Sequence, residues 1–473
     1  MQSVAAAIDR LHQILDAPRL QDLIGAFAEA GFELALVGGP VRDAFLGRDS
    51  NDLDFATSAT PDEILKLVAP RADAHWDIGR AFGTIGARIG DLTVEITTYR
   101  SDVYDGETRK PVVAFGDSLE GDLLRRDFTV NAMALRVPEK VLVDPSGGFE
   151  DLMAGRLRTP IAPEISFGDD PLRMMRGARF TSQLLFTLDD ATMAAMTAMA
   201  DRIEIVSAER VGEELTKLLL APDPITGIRV LVDSGLADHV LPEIPALRLE
   251  IDEHAHHKDV YEHSLTALDQ AIQLERARGH EPDLVLRLAV LLHDIGKPET
   301  RRIEPGGAVT FHHHDVLGGK LAAKRLRALR FDGDTIKAVT LLIREHLRFF
   351  GYADASWTDS AVRRYVRDAG AQLERLHILS RADVTTRNQR KAARLQRAYD
   401  ELEQRIALLA EEEELAAIRP DLDGEQIMAI LGIAPGREVG EAYRFLMELR
   451  LDQGSLGPEE AERRLREWWA GRS

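Results

Sequence analysis

"LVGGPVRDAFLGRDSNDLDFAT", Leu36 to Thr57, carries two aspartates one residue apart in a short segment that reads as a strand. Residues i and i+2 of a strand point to one face. Asp52 and Asp54 therefore project together, while Leu53 and Phe55 turn to the other side, into a core. Two adjacent carboxylates with no cation between them repel, and burial would force a proton onto one of them. A bound Mg²⁺ removes that conflict, because it takes oxygen ligands and accepts carboxylates together with phosphates and waters. Upstream, "LVGGPVRDAF" reads as strand, tight Gly38-Gly39 turn, then a helix with Pro40 near its first turn. Backbone amides at such a helix start can cradle phosphate, and Arg42 adds a cation beside it. Together these parts suit a metal-bound nucleoside triphosphate. A D-x-D by itself is also what surface turns and charged strand ends carry.

The bulk properties narrow the classes. With 473 residues the chain is too long for one compact core, so two to four domains are expected. There is no cysteine, which excludes disulfides, cysteine zinc sites, iron–sulfur clusters and a thiol nucleophile. Any metal must sit on His, Asp or Glu. "MQSVAAAIDRLHQILDAPRL" lacks the basic and apolar regions of a secretory signal, and no apolar run is long enough to span a membrane. A cytoplasmic location without membrane or disulfide partners is the default expectation. The net charge of −20 argues weakly against a nucleic-acid partner, but binding depends on the local field. Locally, "TRNQRKAARLQR" carries Arg387, Arg390, Lys391, Arg394 and Arg397 with no acid among them. Helical spacing gathers these on one side, as a solvated face or as a phosphate-binding one.

The chain falls into zones. From about 20 to 150, short apolar runs alternate with glycine turns: "FELALVGG", "DLDFAT", "GTIGARIGDLTVEITTY", "KVLVDPSGG". Gly90-Asp91 separates two β-rich runs and predicts a hairpin. From about 151 strand signals nearly vanish, and "AERVGEELTKLLL", "LRLAVLLHDIG" and "GGKLAAKRLRALRF" show helical periodicity. The fold class is α+β: a mixed-sheet head followed by an all-α body.

"GGPVRDAFLGRDSNDLDFAT" resembles the metal-binding signature of the polymerase-β-like nucleotidyltransferases, in the bacterial branch that holds tRNA CCA-adding enzymes and poly(A) polymerases. Further motifs follow in order. "RRDFTVNAMAL" looks like that family's ribose and triphosphate motif, which implies Arg126, Asp127 and Asn131 as ligand contacts. "DPSGGFEDL" looks like the hinge from head to neck. "DDPLRMMRGARF" looks like the base-reading motif, with Asp169 where the family usually has Glu, and with Asp170 and Arg173 where the base is read. "ERVGEELTK" matches the neck motif that supports that helix. The resemblance implies a nucleotide-binding set of Gly38, Gly39, Arg42, Arg126, Asp127, Asn131, Asp170, Arg173, Arg176 and Arg179, with catalytic Mg²⁺ on Asp52 and Asp54. It also implies a head over 20–150 and a base-recognising helical neck over 151–240.

Asp170 and Arg173 also make sense by their chemistry. Three apart, they share a face if both lie on one helix. A carboxylate accepts from an exocyclic amine, and arginine presents several fixed donors. Cytosine and adenine both offer an amino donor beside a ring-nitrogen acceptor, so one Asp/Arg pair could accept both and disfavour uracil and guanine. The plain alternative is a helix ion pair worth a few tenths of a kcal/mol. Glu95, in "LTVEITTYR", lies on a strand that could pair beside the aspartates and complete the catalytic carboxylates. A solvent-facing sheet position would carry the same residue.

A second constellation lies in the helical body: His263 in "DVYEHSL", His293-Asp294 in "LLHDIGK", His314 ending "FHHH", His346 in "REHLRFF" and Asp383 in "SRADV". His-Asp at the end of an apolar helix is costly unless something binds it. Imidazole and carboxylate suit a divalent transition metal or Mg²⁺, or a metal pair that activates water. The set resembles the HD phosphohydrolase superfamily, which implies an HD domain over 250–400 and a metal-dependent phosphatase or phosphodiesterase activity. "RPDLDGEQIMAILGIAPGREVGEAYRFLMELRLDQG" looks like the segment found late in these enzymes, implying a tRNA-binding tail over 401–473.

The expectation is a CCA tRNA nucleotidyltransferase that takes tRNA, CTP and ATP and needs no nucleic-acid template. A poly(A) polymerase or a partial C- or A-adding enzyme would share the same motifs. An HD phosphohydrolase with a nucleotide-sensing head is a rival from another class, and the intact Asp52/Asp54 pair argues against it. Nothing in the sequence speaks to oligomeric state.

Overall fold

The computed structural model describes residues 4–103, 112–115, 118–248, 259–354, 357–385, 388–413 and 419–472. The chain divides into two compact units, Met1–Pro242 and Glu243–Ser473.

The first unit is built on a mixed sheet. Its strands are β1 (Leu34–Val37), β2 (Asp52–Thr57), β3 (Ala74–Trp76), β4 (Thr84–Ile89) and β5 (Leu92–Thr98). After a separate hairpin of β6 (Arg100–Val103) and β7 (Val112–Phe115) come β8 (Ala134–Val137) and β9 (Val141–Val143). The sheet runs in the order β3-β4-β5-β2-β1-β8-β9. β2 and β5 pair in parallel, and its other pairs are antiparallel. The expected hairpin is present: Gly90, at φ +63°, and Asp91 join β4 to β5, with Ile89 opposite Leu92. A positive φ at that position suits glycine.

Alternation sets the two faces of the sheet. Leu53, Phe55, Ile85, Val94 and Ile96 enter one core with Phe27 of the helix Pro18–Glu29. The helix Val4–Leu15 joins that core through Ala7, Leu11 and Leu15. Those three are four apart, so they form one apolar stripe. The head expected from about residue 20 thus shares its core with a helix that precedes it. Each buried leucine cut to alanine would cost about 2–5 kcal/mol.

Helices then take over. Helix Leu172–Leu184 is buried on most sides, against Ala208–Leu219 and Pro224–Asp233. Gly227 allows that approach: a methyl there would run into the Ala178 carbonyl and the Ser182 hydroxyl, and its N–H donates to that hydroxyl at 2.9 Å.

The second unit is helical apart from a two-residue strand pair, Arg302–Ile303 with Val309–Thr310. Its central helices are Val260–Ala277, Leu284–Leu292, His314–Ala328, Gly333–Glu345 and Leu373–Ala382. Arg287 and Glu275, both almost fully buried, tie the first two together at 2.8 Å. Helices Gly424–Leu431, Arg437–Gln453 and Pro458–Ala470 form a small core around Ile427, Ala442, Leu446 and Leu465. The basic run opens helix Gln389–Glu413, with Arg390, Lys391, Arg394 and Arg397 exposed; Arg387 lies outside the described residues. Among the described residues, no helix is long and apolar enough to cross a membrane.

Candidate active site

Asp52 and Asp54 are exposed on one face of β2, and Leu53 and Phe55 are buried on the other. β5 lies parallel beside them and sets Glu95 directly opposite Asp54. Three carboxylates thus share one surface of two adjacent strands. The Asp54 carboxyl is pushed up to about 6: loss of hydration against the cavity wall raises it most, Arg126 opposes, and Glu95 and Asp52 add repulsion. The donor set is all oxygen, and its mutual repulsion is what a divalent cation would relieve. The residues fit a Mg²⁺-type site.

Asp54 also lines a cavity of about 410 Å³ between head and neck. Seven arginines reach its wall (Arg42, Arg125, Arg126, Arg173, Arg176, Arg179 and Arg210) against three aspartates, Asp54, Asp127 and Asp170. The chain is acidic as a whole, yet this cavity is cationic and suits a polyphosphate. Gly38, at φ +73°, starts the turn into helix Gly39–Phe45, and a Cβ there would lie 3.1 Å from the Arg126 guanidinium. Glycine therefore keeps Arg126 close to the helix start.

The predicted contacts form one buried chain of bonds. Arg42 donates to Asn131 at 2.6 Å and to Asp43 at 2.9 and 3.0 Å. Asn131 donates to Asp127 at 3.1 Å, and Asp127 accepts from Arg176 at 2.8 and 2.5 Å. Although burial would raise the Asp127 carboxyl, Arg176 and Asn131 hold it well below the usual carboxylate range. Arg179 pairs with buried Glu214 at 2.7 Å. Phe180 sits amid the guanidiniums of Arg42, Arg176 and Arg179, at 5.5, 5.4 and 4.1 Å from its ring centre. That ring face offsets some of the repulsion among three like charges.

Asp170 and Arg173 both line the cavity, but they do not share a helical face. Asp170 ends the helix Pro163–Asp169 in extended backbone, and Pro171 separates it from the helix that holds Arg173. The residue before a proline is driven out of helical geometry, so three-residue spacing does not set the two on one face here. Asp170 is paired with Arg210 at 3.1 Å, and Arg173 donates to the Ser166 hydroxyl at 2.9 Å and the Arg125 carbonyl at 2.5 Å. The segment "ERVGEELTK" supplies two further residues beyond the predicted set, Arg210 against Asp170 and Glu214 against Arg179. Their i, i+4 spacing on one face was the available signal.

All six residues of the second constellation come together in the second unit. His263, His293 and Asp383 form one group of potential metal ligands, and Asp294, His314 and His346 another. Asp294 bridges the two: one oxygen lies 3.3 Å from His293 and 3.4 Å from His263, the other 3.4 Å from His314. His293, His314 and His346 hold their Nδ1 at 2.8, 2.7 and 2.6 Å from the carbonyls of Val290, Phe311 and Ile343. A carbonyl only accepts, so Nδ1 donates and Nε2 is left for the centre. The buried Nε2 of His346 has no hydrogen-bond partner among the described residues. Burial and the His293 charge push His346 down to about 4, so it is neutral and ligand-ready. Burial would lower His293 too, but Asp294 and Asp383 raise it to about 10. The donors fit one or two divalent cations that take nitrogen and oxygen.

Known proteins resemble this chain along most of its length. A family model described as poly A polymerase head domain matches residues 34–158. A probable RNA and SrmB-binding site of polymerase A matches 185–247, and an HD domain matches 260–388. An A-adding tRNA nucleotidyltransferase of Deinococcus radiodurans is 37% identical, over 92% of this chain and 95% of its own length. A CC-adding tRNA nucleotidyltransferase of Thermus thermophilus is 32% identical, over 92% of this chain and 93% of its own. A CCA-adding enzyme of Streptococcus gordonii is 41% identical, over 47% of this chain and 55% of its own. The solved Bacillus stearothermophilus CCA-adding enzyme in complex with CTP shares the fold, with a TM-score of 0.68 and 23% identity over 96% of this chain and 98% of that one.

Proposed function

The chain belongs to the tRNA nucleotidyltransferase family, and on that premise we propose that it adds C, C and A to the 3′ end of tRNA from CTP and ATP without a nucleic-acid template. The observation that carries this is one cavity in which Asp54, a wall of arginines and the Asp170/Arg173 pair all face the same space. The terminal hydroxyl of the tRNA attacks the α-phosphate in line; a new P–O bond forms and the bond to pyrophosphate breaks. Asp52 and Asp54, with Glu95 beside them, would hold Mg²⁺, which supplies a lowered hydroxyl pKa and charge compensation at the attacking and leaving oxygens. Arg126, Arg176 and Arg179 bind the triphosphate and hold it in place before reaction, so little reorganisation remains. Arg42 and Asn131 keep that wall fixed.

Asp170 and Arg173 read the base. The described bonds of Arg173 use three of its five N–H groups, leaving two for a ring nitrogen and its neighbour. Arg210 holds Asp170 in place at 3.1 Å, as an acceptor for the exocyclic amine. Cytosine and adenine answer both groups.

A second reading has its own support, since the relatives aligned along nearly the whole chain are named for adding A or CC alone. A tRNA transcript lacking its 3′ CCA, given CTP, ATP or both, separates the readings at single-nucleotide resolution. Full addition gives two extra nucleotides with CTP and a third only when ATP joins. A stop after CC, addition of A only to a transcript already ending in CC, or a long A tail identifies a CC-adding enzyme, an A-adding enzyme or a poly(A) polymerase. The centre at His293 and Asp294 we read as a separate metal-dependent phosphohydrolase, in which the four imidazoles and two carboxylates would hold a metal that would activate water toward a phosphate ester.

A further inference from the structure

Pairing across the first sheet draws a line of residues away from the catalytic carboxylates. Asp54 lies opposite Glu95, Glu95 opposite Gly86, and Gly86 opposite Trp76. Directly opposed residues share a face, so Trp76 presents its indole on the surface that carries the carboxylates. The indole lies against Gly86: a methyl on that glycine would run into the indole nitrogen and the adjoining ring carbons. The indole therefore fills the space beside Glu95, two strand spacings, about 10 Å, from Asp54. Trp76 remains partly exposed, and it lies on the edge strand.

The setting matches a surface for single-stranded RNA. Exposed Arg88 lies on the same face, in the next row, opposite Thr93 and hence in line with Asp52. The turn from β3 to β4 leaves Ile78 and Phe82 exposed, at 89% and 61%. An aromatic face flanked by a cation and apolar side chains is how unpaired bases are held without reading sequence.

The direction of the reaction selects the occupant. The lining of the nucleotide cavity includes no residue of β3, β4 or β5, so the triphosphate lies on the β1 side of Asp54. Attacking and leaving oxygens are roughly in line in phosphoryl transfer, so the hydroxyl comes from the opposite side. That side is the surface of β5, β4 and β3.

We propose that Trp76 is a stacking platform for the unpaired 3′-terminal base of the RNA acceptor, with Arg88 as its phosphate contact. Trp76 is a positioning residue that acts on the acceptor alone and tolerates any base, as a growing end requires. This rests on the nucleotidyltransferase reading of the head.

The test uses the full chain and a tRNA transcript that stops before CCA and carries 2-aminopurine as its last nucleotide. Stacking on the indole quenches that fluorophore. Wild type quenches it on binding; Trp76→Ala loses most of the quench and raises KM for tRNA about tenfold, with KM for CTP unchanged. Trp76→Phe restores part of both. Equal quenching in wild type and Trp76→Ala overturns the proposal, as does an equal rise in both KM values, which marks a merely structural cover for Gly86. Because Trp76→Ala can loosen the edge strand, Arg88→Ala is the second variant. It should lower the salt dependence of tRNA binding by about one unit of log–log slope, and an unchanged slope counts against the platform. If wild type binds and quenches but extends nothing, the functional reading fails while the platform stands.

Discussion

The head centre and the HD centre both gather groups that suit divalent cations, and they do so in opposite ways. In the head, Asp52, Asp54 and Glu95 stand exposed on a sheet surface, and backbone register aligns them. In the second unit, His293, Asp294 and His346 are buried, and the three histidines His293, His314 and His346 are each anchored through Nδ1 to a carbonyl three residues back. The first arrangement leaves room for two substrates to share the metal with the protein. The second supplies most ligands itself and leaves few positions open. An exposed carboxylate cluster fits transfer between two large partners, and a closed histidine cluster fits attack by water on one small group.

Breaking the closed centre should have the largest effect. His293→Ala removes a fully buried residue that, like His263, touches both Asp294 and Asp383. Mn²⁺ affinity at the second unit should fall by more than about a hundredfold, read by titration calorimetry. Unchanged affinity would remove His293 from the ligand set.

The wall of the head cavity comes next. Glu214→Gln leaves Arg179 without its buried anion and Arg176 with Asp127 alone. The first unit should lose about 3 kcal/mol in a denaturant melt. A loss under 1 kcal/mol would mean that Asp127 alone holds the guanidiniums. Arg173→Ala should act on choice more than on affinity: discrimination of CTP against UTP drops at least about tenfold, while KM for CTP rises less. Unchanged discrimination would take Arg173 out of the base-reading role.

The smallest effect sharpens the contrast through pH. Asp54 titrates near 6 in the folded head, above an ordinary carboxylate near 3.8, so the folded state favours its protonated form. That contribution is present below about pH 4 and lost as pH rises through about 6. Metal-free Asp54→Asn should therefore melt slightly higher than wild type above pH 6, by about 1 °C because Asp54 is exposed. The difference should vanish near pH 4. A variant that melts lower at pH 7 would show that the carboxylates do not strain the metal-free head.

Much of this was legible in the sequence because it rests on short-range pattern. The i, i+2 aspartates, the Gly90-Asp91 hairpin and the glycine turn before Pro40 each follow from local geometry. The His-Asp at the end of "AVLL" was legible because burial of such groups demands a partner. What escaped needed tertiary contact. Arg210 and Glu214 look like ordinary charges on a helix face until the neighbouring helix brings Asp170 and Arg179 against them. Phe180 reads as a core residue, and only folding sets three guanidiniums around it. Asp170 and Arg173 do not share a helical face, because Pro171 drives Asp170 out of helical backbone.

The most direct measurement compares Asp54→Asn and His293→Ala in single-turnover extension of a tRNA transcript lacking CCA, with CTP, ATP and Mg²⁺. The account predicts that Asp54→Asn abolishes extension while His293→Ala extends as wild type does. Extension that survives Asp54→Asn, or disappears with His293→Ala in a folded protein, would contradict the assignment of transfer to the head carboxylates.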